Sequence, residues 1–461
     1  MKRISAAIIV LFLAPVVILG AISVFDVDPQ VSLVENRTLK QKPALSLSGL
    51  FTGGYTREFE NYYADTFPFR DMFMGLSSLL GRAYYFGGGE NTLIITHSGS
   101  QDLGTGESLG DIDAALGHKE EAADEEPFAP VPEREPSGPQ EEPDLPYLPE
   151  LEEPDESDAV KAGSVIIIGD RAMEVSYIYE KALTRYVEAL NALKGSMKDT
   201  RVFSLIAPNS AEFYSPKSMH TGDASQKSMI DKAYSGMNGI VCVDAYSKLR
   251  GHADEYIYFR TDHHWTALGA YYAYTAFCES GGLSPVPLED FETGRYEGFV
   301  GSMYRFTSKY PQSEALKNNP DYVDYYIPAA ECEAQYFKTP GMENGVKAEV
   351  VSRKIPDDYS NKYLCFISGD TPVFRIVTQV KNGRRIAVLK ESYANALVPF
   401  LTSHFEEIFV IDMRQFNGNG QQRLNLPEFA EKNSLTDVLV LNYSIAPNNV
   451  FFAKMLEEYI K

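Results

Sequence analysis

Residues 385–411 read RIAVLKESYANALVPFLTSHFEEIFVI and contain a complete strand–helix–strand pattern. After Arg385, the four residues 386–389 form a short apolar run, and a buried strand is predicted at 385–389. A helix is predicted from Tyr393 to His404, although Pro399 favours a kink within it. A second apolar run at 408–411 predicts another buried strand. Strands that alternate with helices in this way predict a parallel sheet covered on both faces.

The same alternation extends over the second half of the chain. Further strands are predicted at 164–168, 201–207, 239–243 and 436–441, and a helix at 177–198. This rhythm indicates an α/β domain with a mostly parallel sheet. In such sheets, functional sites form outside the carboxyl ends of the strands.

Composition sets broad limits on the fold and on the partners. The chain has 461 residues, of which 44% are hydrophobic and 12% aromatic, enough to build the core of one large or two ordinary domains. Its formal net charge is −22, with 64 acidic and 42 basic residues. A protein that tracks nucleic-acid phosphates needs a basic stripe, so we expect no nucleic-acid partner.

Most of the negative charge lies in one segment, residues 101–160. This segment has twenty acidic residues against Lys119 and Arg134, and nine of the 26 prolines of the chain. High charge, frequent proline and few large apolar side chains cannot compensate the entropy lost on ordering. We therefore predict a disordered acidic insertion at 101–160, which acts as a solvated spacer or, as an alternative, binds cations or a basic partner.

The N-terminus predicts an exported protein. Lys2 and Arg3 precede 22 residues without a charge, Ile4 to Phe25, and a helix of that length spans a bilayer core of about 30 Å. We expect residues 1–29 to form an uncleaved signal anchor with the basic end inside and the rest outside, although a cleaved signal remains open. The predicted location is the cell membrane, with an extracellular or periplasmic domain.

The four cysteines leave the redox state open. Cys242, Cys278, Cys332 and Cys365 allow three pairings, which export would permit, and buried free thiols are the alternative. None has CxxC or metal-ligand spacing, so a structural zinc site is not expected.

The densest group of unusual residues is FRTDHHWT at 259–266, which contains the only Trp of the chain. Thr266 is a natural N-cap for the helix that follows. Asp262 lies two residues before His264, so its carboxylate can orient the imidazole and stabilise the imidazolium form. An Asp-His pair also serves as a loop anchor. The second histidine, His263, permits a metal site, but no third ligand stands at a suggestive spacing, and we expect neither metal nor cofactor.

A nucleophile for such a base is offered by Ser392, between the strand at 385–389 and the predicted helix. There its hydroxyl would stand at the carboxyl edge of the sheet, beside the free N–H groups of a helix N-terminus that could bind an oxyanion. The alternative is that Ser392 only caps the helix.

Together these segments resemble the DHHW family, which is similar to the SGNH-hydrolase-like domains of periplasmic alginate O-acetyltransferase proteins. The resemblance is carried by Asp262-His263-His264-Trp265 and by Glu391-Ser392-Tyr393-Ala394-Asn395. Supporting pieces are Glu35-Asn36-Arg37, Phe67-Pro68-Phe69-Arg70, Ala207-Pro208-Asn209, Gly369-Asp370-Thr371-Pro372 and Asp412-Met413-Arg414. It covers most of residues 30–445 apart from the acidic insertion.

The resemblance implies a flavodoxin-like three-layer α/β/α fold of SGNH type with permuted motif order. Residues 30–100 would be its N-terminal part and 161–461 its main part. The implied roles are nucleophile for Ser392, base for His264 and orienting carboxylate for Asp262. Substrate or oxyanion contacts are implied for Asn395, Tyr393, Asn209 and Trp265. Glu391 stands where the family commonly has Asp.

Two functions from different classes follow. The first is a membrane-anchored O-acetyltransferase or acetylesterase that acts on cell-envelope or exopolysaccharide carbohydrate through an acetyl-serine. Its partners would be an acetyl donor, a carbohydrate acceptor and, by family analogy, a membrane-bound O-acyltransferase. The second is a catalytically silent carbohydrate-binding or envelope-assembly protein with the same fold. The intact Asp262, His264 and Ser392 favour the first.

Overall fold

The computed structural model describes residues 159–162 and 165–461, apart from 221–224, 309, 329, 356–360 and 419–420. It also describes short pieces at 31–32, 37–38, 42–43, 55–56, 59–60 and 62–63. The predicted anchor at 1–29 and the acidic insertion up to residue 158 lie outside the described residues. The described part resumes at Ala159 and Val160, the last two residues of the predicted insertion, which belong to a strand. No helix in the described part of the chain has the length and apolar character needed to cross a membrane.

The strands are β1 Val31–Ser32, β2 Arg37–Thr38, β3 Ala159–Ala162, β4 Val165–Ile168, β5 Arg171–Glu174, β6 Arg201–Ala207, β7 Val241–Cys242, β8 Glu292–Phe299, β9 Asp321–Ile327, β10 Glu333–Phe337, β11 Val346–Ala348, β12 Val373–Val377, β13 Arg385–Lys390, β14 Glu407–Asp412 and β15 Asp437–Tyr443. The α-helices are α1 Glu180–Ser196, α2 Ala211–Tyr214, α3 Gln226–Ser235, α4 Ala245–Gly251, α5 Ala267–Gly281, α6 Ser302–Thr307, α7 Glu314–Asn318, α8 Val398–Leu401, α9 Leu426–Lys432 and α10 Val450–Glu458. The 3₁₀-helices are Lys217–Met219, Leu288–Asp290, Pro311–Ser313, Lys362–Cys365, Ser392–Ala396, Met413–Gln415 and Ala446–Asn448.

The chain divides into two compact units, residues 1–102 and 103–461. In the first unit, β1 and β2 form an antiparallel pair, and residues 55–56, 59–60 and 62–63 are helical. All elements from β3 onward belong to the second unit.

The second unit is built on an eight-stranded sheet with the order β11-β10-β12-β14-β13-β15-β6-β7. The five strands from β14 to β7 are parallel, as the strand–helix alternation predicts. Strands β12, β10 and β11 extend this sheet in antiparallel pairings. The mixed α/β class with a large, mostly parallel sheet is therefore confirmed, and β13 lies among parallel neighbours on both sides.

Alternate residues of the central strands point to opposite faces, and both faces are covered. On one face Phe203, Val388 and Leu439 pack with residues of α5 in one apolar cluster. On the other face Val202, Leu389 and Val440 pack with residues of α1 and α10 in a second cluster. This is the three-layer arrangement expected of strands that are apolar along their whole length.

Three predicted elements differ from the structure. The strand at 164–168 is β4, but it pairs antiparallel with β3 and β5 in a separate three-stranded sheet. Gly169, with a φ of 54°, makes a tight turn there that sends the chain straight back along its own strand. The strand at 239–243 shortens to the edge strand β7. The predicted helix from Tyr393 to His404 is a 3₁₀-helix followed by α8, because Pro399 lacks an N–H and stands in the first turn of α8.

All four cysteines are free thiols. Cys278 and Cys365 are buried, whereas Cys242 and Cys332 are half-buried. Burial raises the pKa of the Cys278 thiol to about 12. The alternative of unpaired thiols therefore describes this structure.

Candidate active site

The loop at 261–265 is held on both sides by neighbouring backbone. Tyr258 and Trp265 form an isolated antiparallel bridge, and Thr266 caps α5 by accepting a hydrogen bond from the Gly269 N–H at 3.3 Å. The predicted N-cap is thus confirmed. Gly269 lies against the Ile257 carbonyl so closely that a Cβ would come within 2.3 Å of its oxygen. The start of α5 therefore fixes where the loop ends.

Three of the predicted site residues form a chain of hydrogen bonds. His264 Nδ1 lies 2.6 Å from Asp262 Oδ1, and His264 Nε2 lies 2.8 Å from Ser392 Oγ. All three side chains are buried, with Ser392 only 5% exposed. Residues separated by 128 positions in the chain thus meet at the carboxyl end of β13.

The charge of Asp262 decides which nitrogen of His264 carries a hydrogen. Burial disfavours its charged form, but electrostatic interaction with the neighbouring His264 and His263 rings and hydrogen bonds from His264 and Ser302 hold its pKa well below the usual value. An ionised carboxylate can only accept, so His264 Nδ1 carries a hydrogen, which leaves Nε2 facing the Ser392 hydroxyl. This is the tautomer that a base for Ser392 requires.

A second set of contacts to Asp262 comes from the start of α6. The Ser302 N–H donates to Asp262 Oδ2 at 2.8 Å, and the Gly301 N–H donates to Thr261 Oγ1 at 2.9 Å. A Cβ on Gly301 would lie 2.3 Å from the Asp262 Cβ, so only glycine fits there. These residues were missed in the sequence, which offers no periodic or motif signal for them.

His263 is buried as a neutral ring beside the ring of His264. Its Nδ1 lies 2.6 Å from Ser302 Oγ, which also accepts from the His263 N–H at 3.4 Å. Burial and electrostatic interaction with the neighbouring His264 ring lower the pKa of His263 to about 3. His263 therefore supports the loop rather than exchanging protons near neutral pH.

Ser392 opens a 3₁₀-helix whose first turn is fixed by Glu391. Glu391 Oε2 accepts from the Tyr393 N–H at 2.9 Å, and Oε1 accepts from the Tyr443 N–H at the end of β15 at 3.0 Å. The amide after the serine is therefore occupied, unlike the free helix N-terminus expected from the sequence. Burial raises the pKa of Glu391.

Trp265 and Tyr393 connect the two motifs directly. The indole N–H of Trp265 donates to the Tyr393 carbonyl at 2.8 Å, and the Tyr393 hydroxyl donates to the His263 carbonyl at 2.7 Å. Trp265 is fully buried. The N–H, carbonyl and hydroxyl of Tyr393 all have partners within the protein, which any substrate contact would have to replace.

Asn395 lies against a buried charge network at the ends of β13 and β14. Its Nδ2 donates to Asp370 Oδ1 at 3.0 Å, and Asp370 also contacts Lys390 at 2.7 Å and Arg414 at 2.8 Å. Despite burial, these two cations hold the pKa of Asp370 below its usual value. Asn395 Oδ1 is buried without a partner among the described residues. The side chain thus offers an acceptor rather than an oxyanion donor.

Asn209 follows β6 at the same edge of the sheet. Its Oδ1 accepts from Gln226 Nε2 at 2.7 Å and from the Ala211 N–H at 3.1 Å, which fixes the orientation of the amide. Its Nδ2 is buried and has no hydrogen-bond partner in the described part of the chain. Buried polar groups are normally paired, so this amide N–H is an available hydrogen-bond donor at this edge of the sheet.

The geometry also bears on a metal site. Asp262, His263 and His264 have potential ligand atoms within 4.8 Å of one another. However, His264 uses both ring nitrogens in the chain to Asp262 and Ser392, and His263 Nδ1 contacts Ser302. Binding a metal would break these contacts, so the donor set does not fit an ion.

The family model of the DHHW protein matches residues 155–411, which include both the 262–265 motif and Ser392. No curated protein matches the chain. The crystal structure of a DHHW family protein from Eubacterium siraeum is 32% identical, with a TM-score of 0.57, covering 65% of this chain and 97% of that one.

Two further structures are more distant. Bacillus cereus PatB1 with a sulfonyl adduct is 17% identical, with a TM-score of 0.48 over 62% of this chain and 94% of that one. The O-acetyltransferase domain of Pseudomonas putida AlgJ is 13% identical, with a TM-score of 0.36 over 60% and 90%. The family match covers more than half of the residues and contains the motif from which the family takes its name. The chain belongs to the DHHW family.

Proposed function

We propose that this protein is a serine-dependent O-acetyltransferase or acetylesterase of SGNH type that acts on cell-envelope or exopolysaccharide carbohydrate. The observation that carries the proposal is the hydrogen-bonded chain from Asp262 through His264 to Ser392, with lengths of 2.6 and 2.8 Å. A buried carboxylate, a correctly oriented imidazole and a hydroxyl at the end of a central strand are the parts of a nucleophilic serine.

The proposed reaction has two acyl-transfer steps. Ser392 Oγ attacks the carbonyl carbon of an acetyl donor while its proton moves to His264 Nε2, and the departing donor oxygen then takes that proton. The acetyl group is now esterified to Ser392. A sugar hydroxyl next gives its proton to Nε2 as its oxygen attacks, and the proton returns to Ser392 when the acetyl sugar leaves. Water in place of the sugar makes the protein an esterase.

Asp262 and Asn209 would stabilise the charged groups that form during this reaction. The ionised Asp262 stabilises the imidazolium that forms in each step. Asn209 Nδ2 is the proposed donor to the oxyanion, supported by its fixed orientation and by the lack of a partner among the described residues. Removing one such donor costs a factor of about 10² to 10³ in kcat.

Location and partners belong to the same proposal. The uncharged segment from Ile4 to Phe25 supports a membrane anchor, with the catalytic unit outside the cell membrane. An acetyl donor on that side would have to be supplied across the membrane, so a membrane-bound O-acyltransferase is the proposed partner.

The test is acetyl transfer by the full chain from an activated acetyl ester, with mass spectrometry of the protein. We expect an acetyl adduct on Ser392 that is absent in Ser392→Ala and His264→Asn. Ser235→Ala is the matched control, because Ser235 is an exposed serine near the end of α3. Turnover in Ser392→Ala equal to the wild type would overturn the nucleophile.

The acceptor decides between the two activities. Offering a glycan hydroxyl should yield an O-acetyl glycan if the protein is a transferase, whereas release of acetate alone identifies an esterase. An unaltered Ser392 with both activated esters and acetylated glycans would instead support the silent binding protein.

A further inference from the structure

Tyr363 lies directly on the ring of His264. The two ring centroids are 4.0 Å apart and the planes differ by 13°, so the rings are stacked. Tyr363 belongs to the 3₁₀-helix Lys362–Cys365 and is buried. Its hydroxyl donates to the Ser392 carbonyl at 3.1 Å. One side chain therefore contacts both the imidazole and the backbone of the serine.

This placement differs from that of the other aromatic residues near the site. Tyr393 lies 5.4 Å from the His264 ring at an angle of 44°, and the ring of His263 lies 3.8 Å away at 37°. Tyr363 alone of these three offers a parallel face. The face of an aromatic ring carries partial negative charge, so it attracts a cation placed above it more strongly than a neutral group.

We propose that Tyr363 is a positioning residue for His264 that fixes the plane of the imidazole and stabilises its protonated form. This rests on the role of base proposed for His264. The imidazolium forms each time Ser392 or an acceptor hydroxyl gives up its proton, so a ring that favours it lowers the barrier of both steps. The hydroxyl of Tyr363 at the same time holds the turn that carries Ser392.

Several other groups act on the charge of His264 and must be separated from Tyr363. The carboxylate of Asp262 faces Nδ1, the hydroxyl of Ser392 faces Nε2, and the charges of His264 and Glu391 interact. His263 lies beside the ring. A test must therefore change the electron density of residue 363 and leave its shape and these neighbours as they are.

Fluorinated phenylalanines provide such a change. Tyr363→Phe keeps the ring and removes the hydroxyl, and one, two and three fluorine atoms on this phenylalanine then weaken the charge of the face stepwise. The pKa of His264 is measured by NMR titration of the full chain, labelled at its histidine ring carbons. The His264 signal is identified by its absence in His264→Asn. We expect the pKa of His264 to fall with each fluorine, by about one unit in total.

Phe366 is the matched control position, since it is buried and packs edge-on against Tyr363 at 5.3 Å. The same fluorinated series at Phe366 should leave the pKa of His264 unchanged. A constant pKa across the series at residue 363, with the protein folded, would overturn the proposal. The contribution of the hydroxyl is separate, since Tyr363→Phe removes it before any fluorine is added and should by itself lower kcat.

The titration is independent of activity, so it separates this proposal from the proposed function. If acetyl transfer is present, the acid limb of the kcat/KM profile should shift to lower pH by the same amount as the pKa, with little change in KM. If the titration shows the trend but Ser392 never carries an acetyl group, the stacking stands and the enzyme assignment fails.

Discussion

The indole N–H of Trp265 donates to the carbonyl of Tyr393 across 2.8 Å, and the two rings pack with centroids 5.1 Å apart. This contact connects the loop of the base to the turn of the proposed nucleophile, although neither residue reacts in the proposed cycle. The distance from His264 to Ser392 therefore depends on a buried pair that lies beside it.

Trp265→Phe should loosen this connection. It leaves the Tyr393 carbonyl with only the longer contact from Tyr363, at 3.4 Å, and we expect a loss of about 1–3 kcal/mol in the free energy of unfolding. Chemical denaturation measures this loss, and the acetylation rate of Ser392 should fall as well. An unchanged midpoint and rate would mean that the contact has no role.

Asp262→Asn should remove the group that orients His264, while the side chain at position 262 keeps its shape. An amide can present its N–H to His264 Nδ1, which selects the wrong tautomer, and similar substitutions lower kcat by about 10⁴. Steady-state kinetics on an activated acetyl ester test this. Asp231→Asn is the control, because Asp231 is an exposed carboxylate on α3 that pairs with Lys227. Loss of activity in both variants would contradict a specific role for Asp262.

Gly301→Ala should displace Asp262. The added Cβ would lie 2.3 Å from Asp262 Cβ and 2.5 Å from Oδ2, which the rigid loop cannot accommodate without a shift. We expect lower stability and a larger loss of acetyl transfer. Gly195→Ala places a methyl group on α1 where nothing beyond its chain neighbours and its own helix backbone lies within 4 Å, and should lower neither stability nor acetyl transfer.

His263 should make the protein sensitive to acid. Its pKa is about 3 in the folded state and about 6.5 in an unfolded chain, so the unfolded state binds more protons between these values. The contribution is present above pH 6.5 and is lost as the pH falls, by up to about 1.4 kcal/mol per unit. Urea unfolding at several pH values should therefore give a flatter profile for His263→Asn than for the wild type. Parallel profiles would contradict the burial of a neutral ring.

The thiols should differ in reactivity. Burial raises the thiol pKa of all four cysteines, but Cys242 and Cys332 are only half-buried, whereas Cys278 and Cys365 are buried. In the native protein we expect slow labelling by a thiol reagent, restricted to the first two, and four labelled thiols after denaturation. Fewer than four would show a disulfide.

The sequence predicted the chemically distinctive part of the site and missed its supports. Asp262, His264 and Ser392 were recognisable because each has a rare setting: an Asp-x-His pair beside the only Trp, and a serine at a strand end. Ser302 and Tyr363 lie in segments without periodic pattern, and their roles arise only from tertiary contacts.

The same reason explains the differences in the fold. Parallel strands were predictable from runs of β-branched residues followed by helices. The antiparallel strands β10 to β12 were not predictable, because they pair onto β14, the free edge of the parallel strands, and the sequence does not show which edge is free. The sequence of β4 has the apolar pattern of a strand in the central sheet. The turn at Gly169 instead pairs it with β5 in a separate sheet.

The site joins three separate stretches of chain, at 261–265, 301–303 and 391–395, and this has a consequence for folding. Contacts of long sequence separation form slowly, because the loops between them must close first. The pair Trp265 and Tyr393, 128 residues apart, is buried between sheet and helix and forms only when β13, β15 and α5 have docked. Recovery of Ser392 reactivity during refolding should therefore coincide with the burial of the single tryptophan, whose fluorescence reports on the assembly of the site.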